Sequence, residues 1–304
     1  MDDTDLSRHG VDSRHEHGAP TAARPQRQAT CWACGETAHP DREYDELALQ
    51  RCDACGLLFA PWRGDDELQE LYDAGYFERY PCGESYDADE RQRRYENSRR
   101  VRFMRRHVPA GRMLEIGSAS GYFLEAARDA GFDAQGIEPV RSYADRASER
   151  FGLPVTAGFI EQIELEPNSF DVVCAWHVVE HLNDPRAVLG RIRAALKPGG
   201  TLLLEVPNIS SIKSVRRKAG WEHLDAERHV GHYQPSSARA LLARAGYEIA
   251  AVDTISGYAY HRPSQALRPK TVAGQVKEAL VERASPHRPH AWKHELMRIV
   301  ARRP

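Results

Sequence analysis

Histidine and glutamate side chains occur at the spacing H-x-x-E-H in the stretch VVCAWHVVEH, residues 172–181. On a helix, His177, Glu180 and His181 would share one face, because positions i, i+3 and i+4 stack. Two imidazoles and a carboxylate on one face can hold zinc and activate water, as in the inverted zinc-protease signature. The preceding letters DVVCAW are typical of a buried β-strand, however, and leave no room for a long zinc-binding helix. The pattern therefore disfavours a metalloprotease.

Cysteines near the N-terminus follow the pattern C-x2-C-x17-C-x2-C. This spacing lies within the range of four-thiolate zinc sites, whereas four unrelated buried cysteines are the alternative. Four sulfur ligands leave no open coordination position, so such an ion would be structural and not catalytic. The four predicted ligands are Cys31, Cys34, Cys52 and Cys55. Cys82 and Cys174 lie outside the pattern and are interpreted as ordinary thiols.

A glycine-rich turn follows the predicted strand RMLEIG in the stretch LEIGSASG. Its pattern E-x-G-x-x-x-G has Ala119 where the dinucleotide fingerprint has its middle glycine, and no Gly-Lys-Ser/Thr of a phosphate loop follows. Glu115, two positions before Gly117, suits a cationic amine better than a phosphate. Glu138 ends the next predicted strand, where a carboxylate can accept hydrogen bonds from two ribose hydroxyls.

Strands and helices alternate from residue 111 onward. Alternation of this kind predicts an α/β fold whose parallel sheet is covered by helices on both faces. The predicted strands are RMLEIG, AQGIEP, FDVVCAWHV and GTLLLEVPN, and the predicted helices cover 119–130, 140–151 and 185–197. The letters KPGG at 197–200 are interpreted as the turn between the last helix and the last of these strands.

Residues 111–254, with a closing strand near 297–302, resemble class I S-adenosylmethionine-dependent methyltransferases. The letters RCDACGLLF and LYDAGYF are similar to those of small-molecule methyltransferases that carry an N-terminal zinc ribbon. The resemblance implies a Rossmann-like, seven-stranded sheet in which ELMRIVAR forms the antiparallel seventh strand. It also implies S-adenosylmethionine as the cofactor.

The same resemblance implies a set of cofactor contacts. LEIGSASG would surround the methionine end, Glu138 would hold the ribose, and Phe159 would lie beside the adenine. Ala175, Trp176 and His177 would line the methyl-transfer site. The implied cofactor-binding residues are Glu115, Gly117, Ser118, Gly121, Glu138, Phe159, Ala175 and Trp176.

Four regions follow from these patterns. A polar tail, predicted to be disordered, covers 1–30, the zinc ribbon 31–60, a helical cap or linker 61–110, and the methyltransferase domain 111–304. Insertions are expected at about 209–233 and 255–296. Aromatic residues of the cap either pack on the domain behind them or close over a ligand; they are Tyr72, Tyr76, Phe77, Tyr80, Tyr86 and Tyr95.

Histidines dominate the predicted acceptor side. An oxygen acceptor must be deprotonated as it attacks the methyl group, and a histidine has a suitable pKa for that step. His181 is the favoured base, followed by His229 in the first insertion and by His177. The alternatives are a second, divalent ion at Glu180 and His181, completed by His229 or His232, or residues that only form the pocket wall.

The charge composition limits which kinds of molecule the chain is expected to bind. The sequence contains 42 basic and 44 acidic side chains, so no large net charge attracts it to nucleic acid or to a membrane. We expect a small hydroxylated substrate such as a sugar, a phenol or a natural-product intermediate. The alternatives are an RNA methyltransferase that uses the ribbon and SVRRK at 214–218, and a non-catalytic cofactor-binding module.

The expected compartment is the cytoplasm. The start MDDTDLSRHG is unlike a secretory signal, and no run of about 18 apolar residues predicts a membrane span. Oligomeric state and the methylated atom are left open by the sequence.

Overall fold

Two β-sheets form the framework of this computed structural model, which describes residues 29–60, 72, 89–256, 272–273, 276 and 294–304. Residues 1–28 of the predicted disordered tail, most of the 61–88 part of the cap and most of the 255–296 insertion lie outside the described residues. The last two residues assigned to that tail, Ala29 and Thr30, are instead ordered as a strand that pairs with 37–38. The smaller sheet has the order β1-β2-β3-β4-β10. Its strands are β1 Ala29–Thr30, β2 Thr37–Pro40, β3 Gln50–Cys52, β4 Leu58–Phe59 and β10 Gly231–His232.

The larger sheet has seven strands in the order β11-β12-β9-β8-β5-β6-β7. β12 is antiparallel to both of its neighbours, and the pairs from β9 to β7 are parallel. The prediction of a seven-stranded Rossmann-like sheet with an antiparallel strand from ELMRIVAR is therefore confirmed. The strands are β5 Arg112–Ile116, β6 Asp133–Glu138, β7 Val155–Ala157, β8 Phe170–Trp176, β9 Leu196–Pro207, β11 Glu248–Ile255 and β12 Leu296–Arg302.

Helices connect and cover these strands. They are α1 Glu90–Arg105, α2 Tyr122–Asp129, α3 Arg141–Phe151, α4 Pro185–Ala195, α5 Ile212–Arg217 and α6 Pro235–Arg244. α4 begins as its sequence indicates, because the Asp184 carboxylate accepts a hydrogen bond from the Ala187 N–H at 2.9 Å and proline occupies the first helical position. Among the described residues, no helix is both long and apolar enough to cross a membrane.

The KPGG segment differs from the predicted turn. β9 already begins at Leu196, which pairs with Phe170, whereas Thr201 pairs with Val172. Residues 197–200 therefore lie opposite Asp171 alone and bulge out of the ladder. Gly199 adopts a φ of +74° in this bulge, a conformation that glycine reaches without steric cost.

Apolar side chains cover both faces of the larger sheet. On one face, Leu114 and Ile116 belong to a buried cluster with residues of α4 and α6. On the other, Met113 packs with residues of α1 and α2, such as Met104 and Phe123. Each fully buried side chain of this size contributes roughly 1.5–3 kcal/mol of transfer free energy. The sheet therefore holds the ends of its strands rigidly, which is what a site at those ends requires.

The ribbon is joined to the first insertion by a shared sheet and a shared core. Gly231 pairs with Phe59 and His232 with Leu58. A third buried cluster combines ribbon residues, among them Tyr44 and Leu58, with Trp221 and other insertion residues. β10, predicted as part of an insertion into the methyltransferase domain, thus completes the sheet of the ribbon.

Candidate functional site

A glycine turn connects β5 to α2 at the carboxyl edge of the larger sheet. The N–H groups of Gly117 and Ser118 donate to the Ile137 carbonyl at 2.8 and 3.1 Å. Gly117 has a φ of +73°, and a Cβ there would lie 2.7 Å from Val178 Cγ2. Gly121 has a φ of +78°, and a Cβ there would lie 2.8 Å from Ala147 Cβ. Both glycines are therefore required by conformation and by space.

Glu138 ends β6 beside this turn and is buried. Its Oε2 accepts a hydrogen bond from the Ala119 N–H at 2.8 Å, and its Oε1 accepts one from the Val140 N–H at 2.9 Å. Burial raises the pKa of the Glu138 carboxyl to about 7, although these two hydrogen bonds act in the opposite direction. Because a carboxylate can accept about four hydrogen bonds, Glu138 has acceptor capacity left for two hydroxyl groups.

Two further polar groups, one at the end of β5 and one in the turn, carry a buried atom with no hydrogen-bond partner among the described residues. Glu115 is buried on β5, and its Oε2 has no hydrogen-bond partner among the described residues. Burial raises the pKa of Glu115 well above its usual range, against the opposing charge of Arg100. The Ser118 hydroxyl is also buried and has no partner among the described residues. Unpartnered buried groups are uncommon, so this turn fits a ligand that carries polar groups.

The other predicted cofactor-binding residues differ in burial and in their neighbours. Phe159 is half-buried, and its ring centroid is 5.7 Å from that of Tyr72. Ala175 is buried within β8. The Trp176 indole packs against Phe123 at 5.2 Å between ring centroids, with the Arg100 guanidinium 5.5 Å from its ring. Trp176 thus faces α1 and α2.

Histidines from two distant segments converge after β8. A short 3-10 turn, Val179–His181, follows the strand, in place of the helix that the H-x-x-E-H string could form. Ligand-type atoms of Glu180, His181 and His229 all lie within 4.8 Å of one another. His232 is buried nearby, with its ring 6.1 Å from that of His229, and is outside this group. We call Glu180, His181 and His229 the acceptor triad.

Backbone carbonyls fix the tautomers of both imidazoles of the triad. His181 Nδ1 lies 3.0 Å from the Arg228 carbonyl oxygen, and His229 Nδ1 lies 3.0 Å from that of His223. A carbonyl only accepts, so each Nδ1 carries the proton and each Nε2 keeps its lone pair. Burial lowers the pKa of His181 and places that of His229 well below its usual range. Both side chains are therefore neutral and able to accept a proton or bind an ion.

His177 has a different environment from the triad. Its Nδ1 lies 3.2 Å from Glu180 Oε1, and its Nε2 lies 3.3 Å from Glu205 Oε1. Burial lowers the pKa of His177, but hydrogen bonds to Glu180 and Glu205 outweigh that effect and raise it to about 9. An imidazole that is already protonated cannot act as a base, so this geometry favours an ion-pair role for His177.

Sequence reasoning missed the residues behind His177. Glu205 on β9 is fully buried and accepts hydrogen bonds from Arg100 Nη2 at 2.9 Å and Arg298 Nε at 2.8 Å. Burial raises the pKa of Glu205, but the charge of Arg100 and the bond from His177 hold it well below its usual range. The available signal was an acidic residue inside the apolar run LLLEV, since such residues are rarely buried without a partner.

The four predicted zinc ligands form one cluster in the ribbon. Cys31 Sγ is 3.6 Å from Cys55 Sγ, and Cys34 Sγ is 3.3 Å from Cys52 Sγ. Zinc–sulfur bonds of about 2.3 Å place the sulfurs of a tetrahedral site about 3.8 Å apart, whereas disulfide sulfurs are about 2.05 Å apart. All four sulfurs lie within 4.8 Å of one another. The cluster is therefore compatible with a structural zinc ion.

Replacing Glu138 with alanine is expected to lower cofactor affinity at least tenfold. Each hydrogen bond to a charged group contributes roughly 1.5–3 kcal/mol, and the variant would lose the bonds that Glu138 is expected to form with the ribose. The measurement is titration calorimetry with S-adenosylmethionine. Glu149, exposed on α3, provides the control variant Glu149→Ala. Unchanged affinity in Glu138→Ala would show that Glu138 does not hold the cofactor.

Comparison with known proteins gives one consistent family. The sequence model of a family described as "Methyltransferase domain" matches residues 90–252, more than half of the chain. A ubiquinone biosynthesis O-methyltransferase of Paramagnetospirillum magneticum is 36% identical over 125 residues, 35% of this chain and 50% of that protein. A probable S-adenosylmethionine-dependent methyltransferase of Mycolicibacterium smegmatis is 26% identical over 197 residues, 64% of this chain and 72% of that protein.

Solved structures agree with these sequence relatives on the fold. A Thermotoga maritima S-adenosylmethionine-dependent methyltransferase, a possible histamine N-methyltransferase, superimposes with a TM-score of 0.54 at 20% identity. The match covers 75% of this chain and 98% of that one. The chain spans only about half the length of the first curated relatives that it matches.

Proposed function

Because this chain belongs to the methyltransferase domain family, we propose that it transfers a methyl group from S-adenosylmethionine to a hydroxyl group of a small organic molecule. The glycine turn, Glu115 and Glu138 would hold the cofactor. The acceptor would be a sugar, a phenol or a natural-product intermediate. Sequence relatives named as O-methyltransferases support transfer to oxygen.

One observation carries this proposal: the three residues of the acceptor triad come together beside the glycine turn. Val178 precedes Glu180 by two residues, and its Cγ2 atom lies 2.7 Å from the position that a Cβ of Gly117 would take. The Tyr72 ring lies near residues of both sites, with its centroid 5.7 Å from that of Phe159 and 6.4 Å from that of His181. A methyl group held at the turn would thus face the imidazoles across a short distance.

His181 is the residue best suited to take the acceptor's proton. Its Nε2 keeps a lone pair, its side chain is half-buried, and His229 beside it is more deeply buried. The acceptor oxygen would attack the methyl carbon in line with the sulfur, forming the carbon–oxygen bond as the carbon–sulfur bond breaks. The hydroxyl proton would pass to His181, and S-adenosylhomocysteine would leave. Proximity and orientation supply most of the rate enhancement in such a step.

Two metal ions fit the residues present. A zinc ion in the four-cysteine cluster would stabilise the ribbon. A divalent ion held by Glu180, His181 and His229 would supply Lewis-acid assistance by lowering the pKa of the acceptor hydroxyl. The donor set of two imidazoles and a carboxylate suits such an ion, and the Nδ1–carbonyl bonds give the outer support that metal-binding histidines require.

The test is transfer of a tritiated methyl group from S-adenosylmethionine into a cell extract, followed by separation into small-molecule, RNA and protein fractions. Label is expected in the small-molecule fraction as a methyl ether, and at least tenfold less label is expected with Glu138→Ala at limiting cofactor. Label in RNA would contradict the proposal and support the RNA methyltransferase alternative. Absence of transfer to every fraction would contradict methyltransferase activity itself.

A further inference from the structure

His177 occupies a backbone conformation that side chains rarely adopt. Its φ is +59°, in the left-handed region where only a few per cent of residues other than glycine are found. Such outliers persist where the surrounding structure holds them in place, and they concentrate at functional sites. β8 has just ended at Trp176, and the His177 N–H donates to the Glu205 carbonyl oxygen at 2.8 Å. The left-handed residue turns the chain there and sends the imidazole between two carboxylates.

Both ring nitrogens of His177 are committed to those carboxylates. Glu205 on one side is fully buried and is held by Arg100 from α1 and Arg298 from β12. Glu180 on the other side is buried, and its Oε1 faces His177 Nδ1 at 3.2 Å. Glu180 Oε2 has no hydrogen-bond partner among the described residues. One oxygen of Glu180 is therefore held by His177, and the other is left for the two imidazoles of the acceptor triad.

We propose that His177 is a positioning residue that fixes the Glu180 carboxylate so that its second oxygen is directed toward His181 and His229. The inference rests on the proposed function and deepens it. Glu205 is the anchor: two arginines from separate elements hold its carboxylate, and its carbonyl accepts from the His177 N–H, so it holds the His177 backbone as well as the ring. His177 is the link, because its Nδ1 reaches Glu180 while its Nε2 reaches Glu205. The 32% exposure of the His177 side chain places it at the rim of the site and outside the apolar core.

Three substitutions of His177 distinguish the effect of its contact with Glu180 from the effect of its backbone strain. His177→Asn keeps a donor at the position of Nδ1 and therefore keeps the side-chain contact to Glu180. Asparagine also tolerates a positive φ, so its backbone N–H can keep the bond to the Glu205 carbonyl that anchors residue 177. His177→Gln keeps a donor near the position of Nε2 and therefore keeps only the contact to Glu205. His177→Gly removes both contacts and relieves the backbone strain. Of the two side-chain contacts, His177→Asn thus retains the one to Glu180, His177→Gln retains the one to Glu205, and His177→Gly retains neither.

We expect kcat to fall about 10- to 100-fold in His177→Gly and His177→Gln, the range seen when outer supporting residues of a site are lost. KM for the acceptor and the affinity for S-adenosylmethionine should change less than about twofold. His177→Asn should restore kcat to within a few-fold of the wild type. If His177 had only a structural role, kcat would change in parallel with the melting temperature. Because glycine relieves the backbone strain, the melting temperature of His177→Gly should not be lower than that of His177→Gln.

Crystal structures of the same variants give a readout that needs no acceptor. Glu180 Oε1 should keep its position in His177→Asn and leave it in His177→Gln and His177→Gly. An unmoved Glu180 in all three variants would overturn the inference, as would equal kcat in His177→Asn and His177→Gln. If the wild type transfers no methyl group to small molecules, the proposed function fails, while the position of Glu180 still decides the role of His177.

Discussion

Replacing His181 with alanine is expected to lower turnover about 10²–10⁴-fold, the usual loss when a general base is removed. Cofactor affinity should change less than about twofold, because His181 belongs to the acceptor triad, whereas the proposed cofactor contacts belong to the glycine turn and to Glu138. The measurement combines kcat with calorimetric titration of S-adenosylmethionine and a melting temperature. A histidine that only supports the pocket wall would lower the melting temperature or the cofactor affinity instead.

A matched pair of variants sharpens this test. His229→Ala removes the second imidazole of the triad, whereas His39→Ala removes an exposed histidine on β2 of the ribbon. We expect a large loss of turnover in the first and none in the second. Full activity in both His181→Ala and His229→Ala would exclude a histidine base. If a chelator abolishes the activity of the wild type while the ribbon zinc is retained, the result would indicate that the triad binds a metal ion.

Replacing Cys52 with serine should abolish zinc binding and also disorder the segment that carries His229. Binding of a structural zinc ion contributes about 10–16 kcal/mol of apparent free energy in small zinc-dependent folds. Loss of order in the ribbon should also destabilise β10, because β4 pairs with β10 and the Ala60 N–H donates to the Val230 carbonyl at 2.8 Å. The Val230 N–H in turn donates to the Glu180 carbonyl at 2.8 Å. Turnover should therefore fall as far as in His229→Ala.

The measurements are zinc content and amide hydrogen exchange. Wild type should contain about one zinc ion per chain, and Cys52→Ser should exchange faster over 229–233 while β5 stays protected. Cys174→Ala is the control, since Cys174 is buried in the larger sheet away from the ribbon cluster and should retain the zinc. A metal-free, fully folded wild type would contradict the zinc assignment. Unchanged protection of 229–233 in Cys52→Ser would contradict the coupling.

Docking of the ribbon explains why it is coupled to the site. The Cys55 carbonyl accepts hydrogen bonds from Gln234 Nε2 at 3.0 Å and from Ser236 Oγ at 2.7 Å, at the start of α6. Gly56 permits this approach, because a Cβ there would lie 1.7 Å from Gln234 Nε2. Gly56, which follows the second cysteine pair, thus permits close contact between that turn and α6. These contacts support the proposed role of the ribbon in positioning the acceptor side of the site.

The amino-acid sequence by itself determined the features that depend on local spacing. Alternating strand and helix patterns predicted the α/β sheet, because burial on a sheet imposes its period on the neighbouring residues. The antiparallel seventh strand from ELMRIVAR was implied by the resemblance to the methyltransferase family. The cysteine spacing predicted the ribbon cluster, because each pair can meet a metal from one tight turn. The glycine turn with Glu115 and Glu138 was also predictable, since parallel strands end at the same edge.

Tertiary structure alone decided which distant residues meet. The pairing of β10 with β4 brings His229 to Glu180 and His181, and no local pattern records a pairing between segments about 170 residues apart. The roles of the histidines likewise depend on neighbours from other elements. His177 lies between Glu180 and Glu205, whereas the Nδ1 of His181 meets a backbone carbonyl. An imidazole's protonation follows its burial and partners, and those exist only once the chain has folded.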